Sequence, residues 1–389
     1  MSGKKSEPRN VARRDFMKTA AAAGAAFVLA DFGPFVDTVE ASDVYYNTLA
    51  DALNKLPNAF PRTQSNVEVL ILKKIFSPEE AWLAGQLGID VESVDDIAKR
   101  VGLPVEEVRE RLKKMAEREL VWGDVETGHY RLAAFVVGIY EAQLWDMDHE
   151  FAHLIEDYFD QGGAALMRPR PAIHRVIPAQ RAVKSEWVLP YDDVKAVLMA
   201  ATSFRVRKCI CRVQQDHIGE RRCSFPLKTC LNFSSYKQPP TDRDVSKEEA
   251  LALLDEVEAI GLVHTVTNVA EGIGYVCNCC GCCCGLLRGI TEWGIEKSVA
   301  AANYYAVIDP EQCTGCGTCI DRCHMKAISK QDGVSVVDRN KCIGCGLCMT
   351  GCPLNVARLE RKPDAEIVNP PKDFTKWEQE RLRNRGLLT

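Results

Sequence analysis

The first 208 residues contain no cysteine, although the 389-residue chain has eighteen. All of them fall between Cys209 and Cys352. This asymmetry excludes a disulfide framework for the first half and sets a thiol-free module against a thiol-rich one. Positive charge is also scarce: 49 Lys and Arg face 54 Asp and Glu, a formal net charge of −5. A chain that grips a polyanion needs a basic footprint, so composition argues against nucleic acid as a partner. No apolar run reaches the ~20 residues that span a bilayer. No G-x-G-x-x-G opens a helix after a strand, and no C-x-x-C-H offers a haem attachment. The length allows two to three domains.

Two dense runs stand near the C-terminus. Cys313, Cys316, Cys319 and Cys323 follow the spacing C-x2-C-x2-C-x3-C, and so do Cys342, Cys345, Cys348 and Cys352. Three thiolates with two residues between each wrap one metal centre, and the fourth points away from it. Structural zinc favours two separated C-x2-C pairs per ion, which this pattern is not. Over roughly residues 302–358 the chain resembles the bacterial two-cluster ferredoxins. That resemblance implies one [4Fe–4S] cluster on Cys313, Cys316, Cys319 and Cys352. It implies a second on Cys342, Cys345, Cys348 and Cys323. Gly315, Gly317, Gly344 and Gly346 would permit the tight turns that N–H···S bonding needs. Pro353 follows the last cysteine as in that family, but His324 stands where the first run would have proline. A surface position is expected for His324, with tuning of the neighbouring cluster as the alternative.

At the N-terminus, Arg13 and Arg14 precede Phe16 and Lys18, and Thr19–Ala30 is a short apolar stretch. Val39-Glu40-Ala41 offers small residues at −3 and −1. The combination is similar to a twin-arginine export signal cleaved after Ala41. That route carries folded, cofactor-loaded proteins, so the resemblance implies a mature protein in the periplasm or on the outer face of the cytoplasmic membrane. No integral membrane helix is then expected after cleavage; an uncleaved tether is the alternative.

Residues 42–66 read as a helix plus loop. From Val67 the pattern is helical, with Ser77-Pro78-Glu79-Glu80 and Ser93 as helix starts and Gly102 as a stop. Val105, Val108, Leu112, Met115 and Leu120 form an apolar stripe. A hairpin turning at Thr127-Gly128 follows. Over roughly residues 67–135 this order is similar to a winged helix-turn-helix. Ten basic against fourteen acidic residues between Val67 and Phe135 favour protein contact over DNA. Residues 138–161 read as one long amphipathic helix ended by Gln161-Gly162-Gly163. It contains His149-Glu150-Phe151-Ala152-His153, a literal H-E-x-x-H, but Met147, Phe151, Leu154, Ile155, Tyr158 and Phe159 read as packing. Glu186 is a poor third ligand, so a zinc site is not expected there.

Residues 185–300 alternate helix and strand in a β–α–β rhythm, with the strands read at FRVRKCICR and LVHTVTN. Cysteines gather at the strand ends: Cys209, Cys211, Cys223 and Cys230 after the first, and Cys277, Cys279, Cys280, Cys282, Cys283 and Cys284 after the second. Neighbours such as Cys282–Cys284 cannot pair among themselves without strain, and free thiols at this density oxidise. One or two further iron–sulfur clusters are expected, with zinc or disulfides as the alternatives. Cys209 or Cys211 should share a site with Cys277–Cys284, because a β–α–β unit would set them side by side. The CCG strings resemble the cysteine-rich motif of heterodisulfide reductases, without that family's long spacings.

The expected architecture is an α+β multidomain chain. Its parts are a signal (1–41), a winged-helix-like domain (42–137), a helical connector with a Pro-rich loop (138–184), a small cysteine-rich α/β domain (185–300), a two-cluster ferredoxin domain (301–358) and a C-terminal tail (359–389). The expected function is electron transfer between redox partner proteins, one of them a membrane-bound oxidoreductase. A redox-sensing regulator using the winged helix, and an oxidoreductase with a special cluster at CNCCGCCCG, are the alternatives.

Overall fold

The computed structural model describes residues 39–183, 188–189 and 192–388. The twin-arginine segment and Glu186 lie outside the described residues. The first helix, Val39–Lys55, contains the expected cleavage point. Helices Val67–Ile75 and Pro78–Ala84 follow, the second opened by a full capping box at Ser77 and Glu80. Strand β1 (Glu92–Ser93) leads into helix Val94–Val101, which Ser93 caps and Gly102 ends in the left-handed region. Helix Val105–Glu117 and the hairpin β2 (Val121–Asp124) and β3 (His129–Leu132) complete the module. Its sheet runs β1-β3-β2, one strand more than the hairpin expected. Val108, Leu112 and Met115 are buried, as the stripe requires.

The long helix differs from expectation. Tyr140–Ala142 is a short turn of helix, and a new helix starts at His149 because Asp148 accepts from Phe151 N. It runs to Met167, through Gly162 and Gly163. Both glycines are buried, and a Cβ on Gly162 would lie 3.2 Å from the Tyr158 ring. Here glycine serves close packing, and burial of Leu166 and Met167 beyond it holds the last turn in place.

The middle sheet has seven strands: β4 (His174–Ile177), β5 (Ser203–Lys208), β6 (Lys228–Ser234), β7 (Asp244–Val245), β8 (Val263–Thr267), β9 (Tyr275–Cys279) and β10 (Val299–Ala300). Their order is β10-β4-β8-β9-β6-β5-β7. Every pairing is antiparallel except β10 with β4. The β–α–β expectation is therefore corrected. The two strands read from sequence are β5 and β8, and β6 and β9 lie between them. β9 is short and carries cysteines and an asparagine inside it, and β6 follows an irregular Arg-containing stretch. Helix Lys247–Ile260, with a capping box at Ser246 and Glu249, leads into β8.

The ferredoxin-type domain pairs β11 (Tyr304–Ile308) with β14 (Ala357–Arg361), and β12 (Ile328–Gln331) with β13 (Val334–Val337). The whole is a mixed α+β structure with several sheets. Arg322 fastens this domain to the middle one. Its Nη1 donates to Ala259 O at 2.9 Å and its Nη2 to Glu258 O at 2.8 Å, carbonyls at the end of helix Lys247–Ile260. Its Nε donates to Leu347 O at 2.9 Å. A cation at a helix C-terminus also opposes the helix dipole.

Residues read as a tail form helix Phe374–Asn384, which returns to the front of the molecule. The Arg381 guanidinium is fully buried and donates to Pro57 O (2.7 Å), Pro169 O (2.5 Å), Pro171 O (2.6 Å) and Leu166 O (2.6 Å). Trp377 Nε1 donates to Ala172 O at 2.9 Å.

Three outcomes follow from these contacts. Arg381→Ala strands four buried carbonyls and should destabilise the fold by about 3 kcal/mol or more, read as a lower thermal midpoint and proteolysis between residues 362 and 373. Arg322→Ala should speed hydrogen exchange at the end of helix Lys247–Ile260 while leaving β2 and β3 unchanged. The third concerns His174, which is buried between Thr265 Oγ1 (3.2 Å) and Tyr275 Oη (2.8 Å). Burial pushes its pKa down to about 4 from 6.5. The unfolded chain therefore takes the proton first. This stability is whole above pH 6.5 and drains as pH falls toward 4, by about 2 kcal/mol at pH 5. His174→Gln should shrink the difference between thermal midpoints at pH 7 and pH 5.

Candidate metal centres

Short glycine turns build the C-terminal sites. Gly315 has φ +64°, and a Cβ there would overlap the Gly333 carbonyl oxygen; Gly344 has φ +72°, and its Cβ would lie 2.5 Å from Tyr304 O. Neither position admits another residue without moving the turn. One cavity is lined by Cys313, Cys316, Cys319 and Cys352 together with Pro353. A second is lined by Cys323, Cys342, Cys345 and Cys348. Each thus takes three cysteines from one run and one from the other. Backbone N–H groups already point at sulfur: Gly315 N and Ser335 N at Cys313 Sγ (3.4 and 3.5 Å), and Ala327 N at Cys323 Sγ (3.2 Å). These bonds hold the Cys313 thiol below its ordinary pKa, Ser335 N contributing most.

The two cavities differ in exposure. Cys316 is exposed, whereas burial pushes the Cys345 thiol up to about 12 and raises Cys348 further. Four charge-sharing thiolates in so dry a pocket need a metal centre to exist at neutral pH. His324 is half-buried rather than fully exposed. Its Nε2 lies 2.7 Å from Gly261 O, its ring meets Phe225 at 5.9 Å, and its Cβ abuts Gly281. It joins the second cavity to the cysteine-rich turn, because the chain doubles back there against helix Lys247–Ile260.

The ten middle cysteines separate into two groups. Cys209 directly follows the end of β5 and stands at the N-cap of helix Ile210–His217, while Cys211 sits in that helix's first turn. Cys230 lies on β6, and Cys277 and Cys279 lie two apart on β9, so their side chains share a face. With Cys284 they close a ring of thiol neighbours: Cys209–Cys211–Cys284–Cys279–Cys277–Cys230 and back. The structure thus brings Cys209 and Cys211 to the 277–284 segment, through antiparallel strands. Donation from Cys277 and Cys284 lowers the Cys279 thiol to about 6.

Cys223, Cys280, Cys282 and Cys283 form the second group. Arg212, fully buried, stands between the two. Its Nη1 donates to Asn278 O (3.1 Å) and approaches Cys280 Sγ (3.7 Å), and its Nε is buried without a partner. Burial opposes its charge, but Cys209, Cys280 and Cys279 outweigh that and raise its pKa. An orphaned cationic N–H on an arginine among thiols of both groups fits an anionic sulfur-rich group.

His149 and His153 are exposed, with rings 4.6 Å apart, and His149 Nδ1 donates to His217 O at 2.7 Å. Glu150 pairs with Lys74. Among the described residues no further ligand joins them.

Residues 306–359 match the family model of the 4Fe-4S dicluster domain. No curated protein matches the chain. The matched segment and the cysteine-rich stretch before it make this an iron–sulfur protein with a ferredoxin-type C-terminal domain.

Proposed function

We propose that the chain is an exported iron–sulfur electron carrier, a subunit that relays electrons between redox partner proteins. The observation that carries this reading is the pair of four-cysteine cavities within the 4Fe-4S dicluster segment. Each cluster, when bound, accepts and releases one electron at a potential tuned by charge, hydrogen bonds and solvent. Cys313, Cys316, Cys319 and Cys352 hold the outer cluster, and the exposed edge at Cys316 is where a partner docks. Cys323, Cys342, Cys345 and Cys348 hold the inner one, in an apolar wall of Ile343, Leu347 and Val337 that excludes water. His324 and Gly281 bring the inner cavity against the Cys280–Cys283 turn, and the six-thiol ring, whose Cys279 and Cys284 flank that turn, takes a third cluster. Arg212 balances its charge.

The N-terminal module is winged-helix-like in element order, and we assign it to protein contact. Helix Val105–Glu117 presents Glu106, Glu107 and Glu110 beside its cations, with Arg111 and Lys114 already paired to Glu107 and Glu110. That surface repels phosphate. The redox-regulator reading needs a nucleoid-bound, uncleaved protein; cell fractionation should instead find it exported and shortened at about residue 41.

Anaerobically purified protein should contain about twelve irons with matching acid-labile sulfide, against about eight for the ferredoxin pair alone. Cys323→Ser should erase the EPR signal of the cluster held by Cys342, Cys345 and Cys348. Loss of the Cys313, Cys316 and Cys319 cluster instead would overturn the interleaved assignment.

A further inference from the structure

We propose that Cys223, Cys280, Cys282 and Cys283 bind a single tetrahedral metal ion, zinc, which fastens the cysteine-rich domain and is no part of the iron–sulfur relay. The four sulfurs all lie within 4.8 Å of one another. Cys223 Sγ is 3.9 Å from Cys280 Sγ and 3.8 Å from Cys283 Sγ, and Cys282 Sγ is 3.6 Å from Cys283 Sγ. A tetrahedron with metal–sulfur bonds of ~2.3 Å has edges of about 3.8 Å. A [4Fe–4S] cube puts each cysteine on a different iron and spreads the sulfurs well beyond that. Among the described residues neither ferredoxin quartet draws together so closely. The same separations are far too long for disulfides, and all four cysteines are free.

The setting matches a fastening. Cys223 lies on the irregular stretch 220–226, between helix Ile210–His217 and β6, where no strand ladder holds the backbone. The other three lie on the turn between β9 and helix Gly285–Thr291. An ion bound to both ties the loose stretch to the turn. Val257 and Leu262 close the site from beneath. A divalent ion with four thiolates carries about −2; Arg212 approaches it, and Arg221 and Arg222, which also pair with Asp216 and Glu292, stand at its edge. Arg212 Nη1 is 3.7 Å from Cys280 Sγ. Arg222 Nη2 donates to Cys282 O at 3.1 Å. Arg221 Nε is buried without a partner beside Cys223. Zinc is the ion we assign because four thiolates suit it and it has no redox chemistry to interfere with neighbouring clusters.

Metal analysis and zinc X-ray absorption on the full-length, anaerobically purified protein test this directly. About one zinc per chain, with four sulfurs at about 2.3 Å, is the expected result. Cys223→Ala with Cys282→Ala should remove that zinc, leave iron and sulfide unchanged, and speed hydrogen exchange in 220–226. One sulfide-free iron with a tetrathiolate spectrum in place of zinc upholds the single-ion site and replaces only the metal. About sixteen irons per chain, or loss of about four irons in the double variant, would show a cube and overturn it. So would a Cys223 disulfide found by mass spectrometry in the protein as isolated. If the variant does not fold, the absorption spectrum of the unaltered protein decides alone. A wrong zinc assignment leaves the ferredoxin clusters standing, since their irons are counted separately.

Discussion

Buried negative charge is the constraint on which the rest of this structure depends. Eighteen cysteines are confined to residues 209–352, and all but Cys316 are at least partly buried. A thiolate removed from water without compensation reverts to thiol, as the raised pKa of Cys345 illustrates. The architecture answers in two ways. Backbone N–H groups are aimed at sulfur by glycine turns, at Cys313 above all, and arginines are buried where thiols crowd. Arg212 is the extreme case, a fully buried cation reached by strands and helices from both sides. Remove the metal centres and the same arginines become liabilities, so the fold and its proposed cofactors stabilise each other.

Polar contacts at element ends add directional joints to an apolar core that runs through all the domains. Arg322 takes the last carbonyls of helix Lys247–Ile260, and Glu258 of that helix accepts from Gln180 N and meets His264. Such contacts are directional, so they fix the spacing between the inner ferredoxin cavity and the cysteine-rich domain. In a relay that spacing is the functional quantity.

Legibility in the sequence followed the range of the interaction. The membership of each ferredoxin quartet is a matter of spacing within two short runs, and the two cavities are lined by those same eight residues. Helix starts at Ser77 and Ser93 are equally local. The middle thiols were opaque because strand pairing over long separations sets their grouping. The alternation of Thr229, Leu231 and Phe233 on β6 was a signal that a period-two scan would have caught. The interior of β9 carries Cys277, Asn278 and Cys279 in place of β-branched residues, so no scan of that kind finds it. The split into a ring of six and a group of four followed neither spacing nor order, since Cys279 and Cys280 are adjacent yet belong to different groups. Gly162 and Gly163 misled because glycine marks helix ends and close packing alike, and only the partner surface distinguishes them.

The returning helix Phe374–Asn384 sets a temporal order on the molecule. Arg385 reaches Asn54 and Leu56 across more than three hundred positions of chain. During synthesis those partners emerge first and wait for the final residues. The cysteine-rich and ferredoxin segments must therefore be made and laid between them before the front of the protein can close. Helix Phe374–Asn384 thus closes over an interior that has already been laid down.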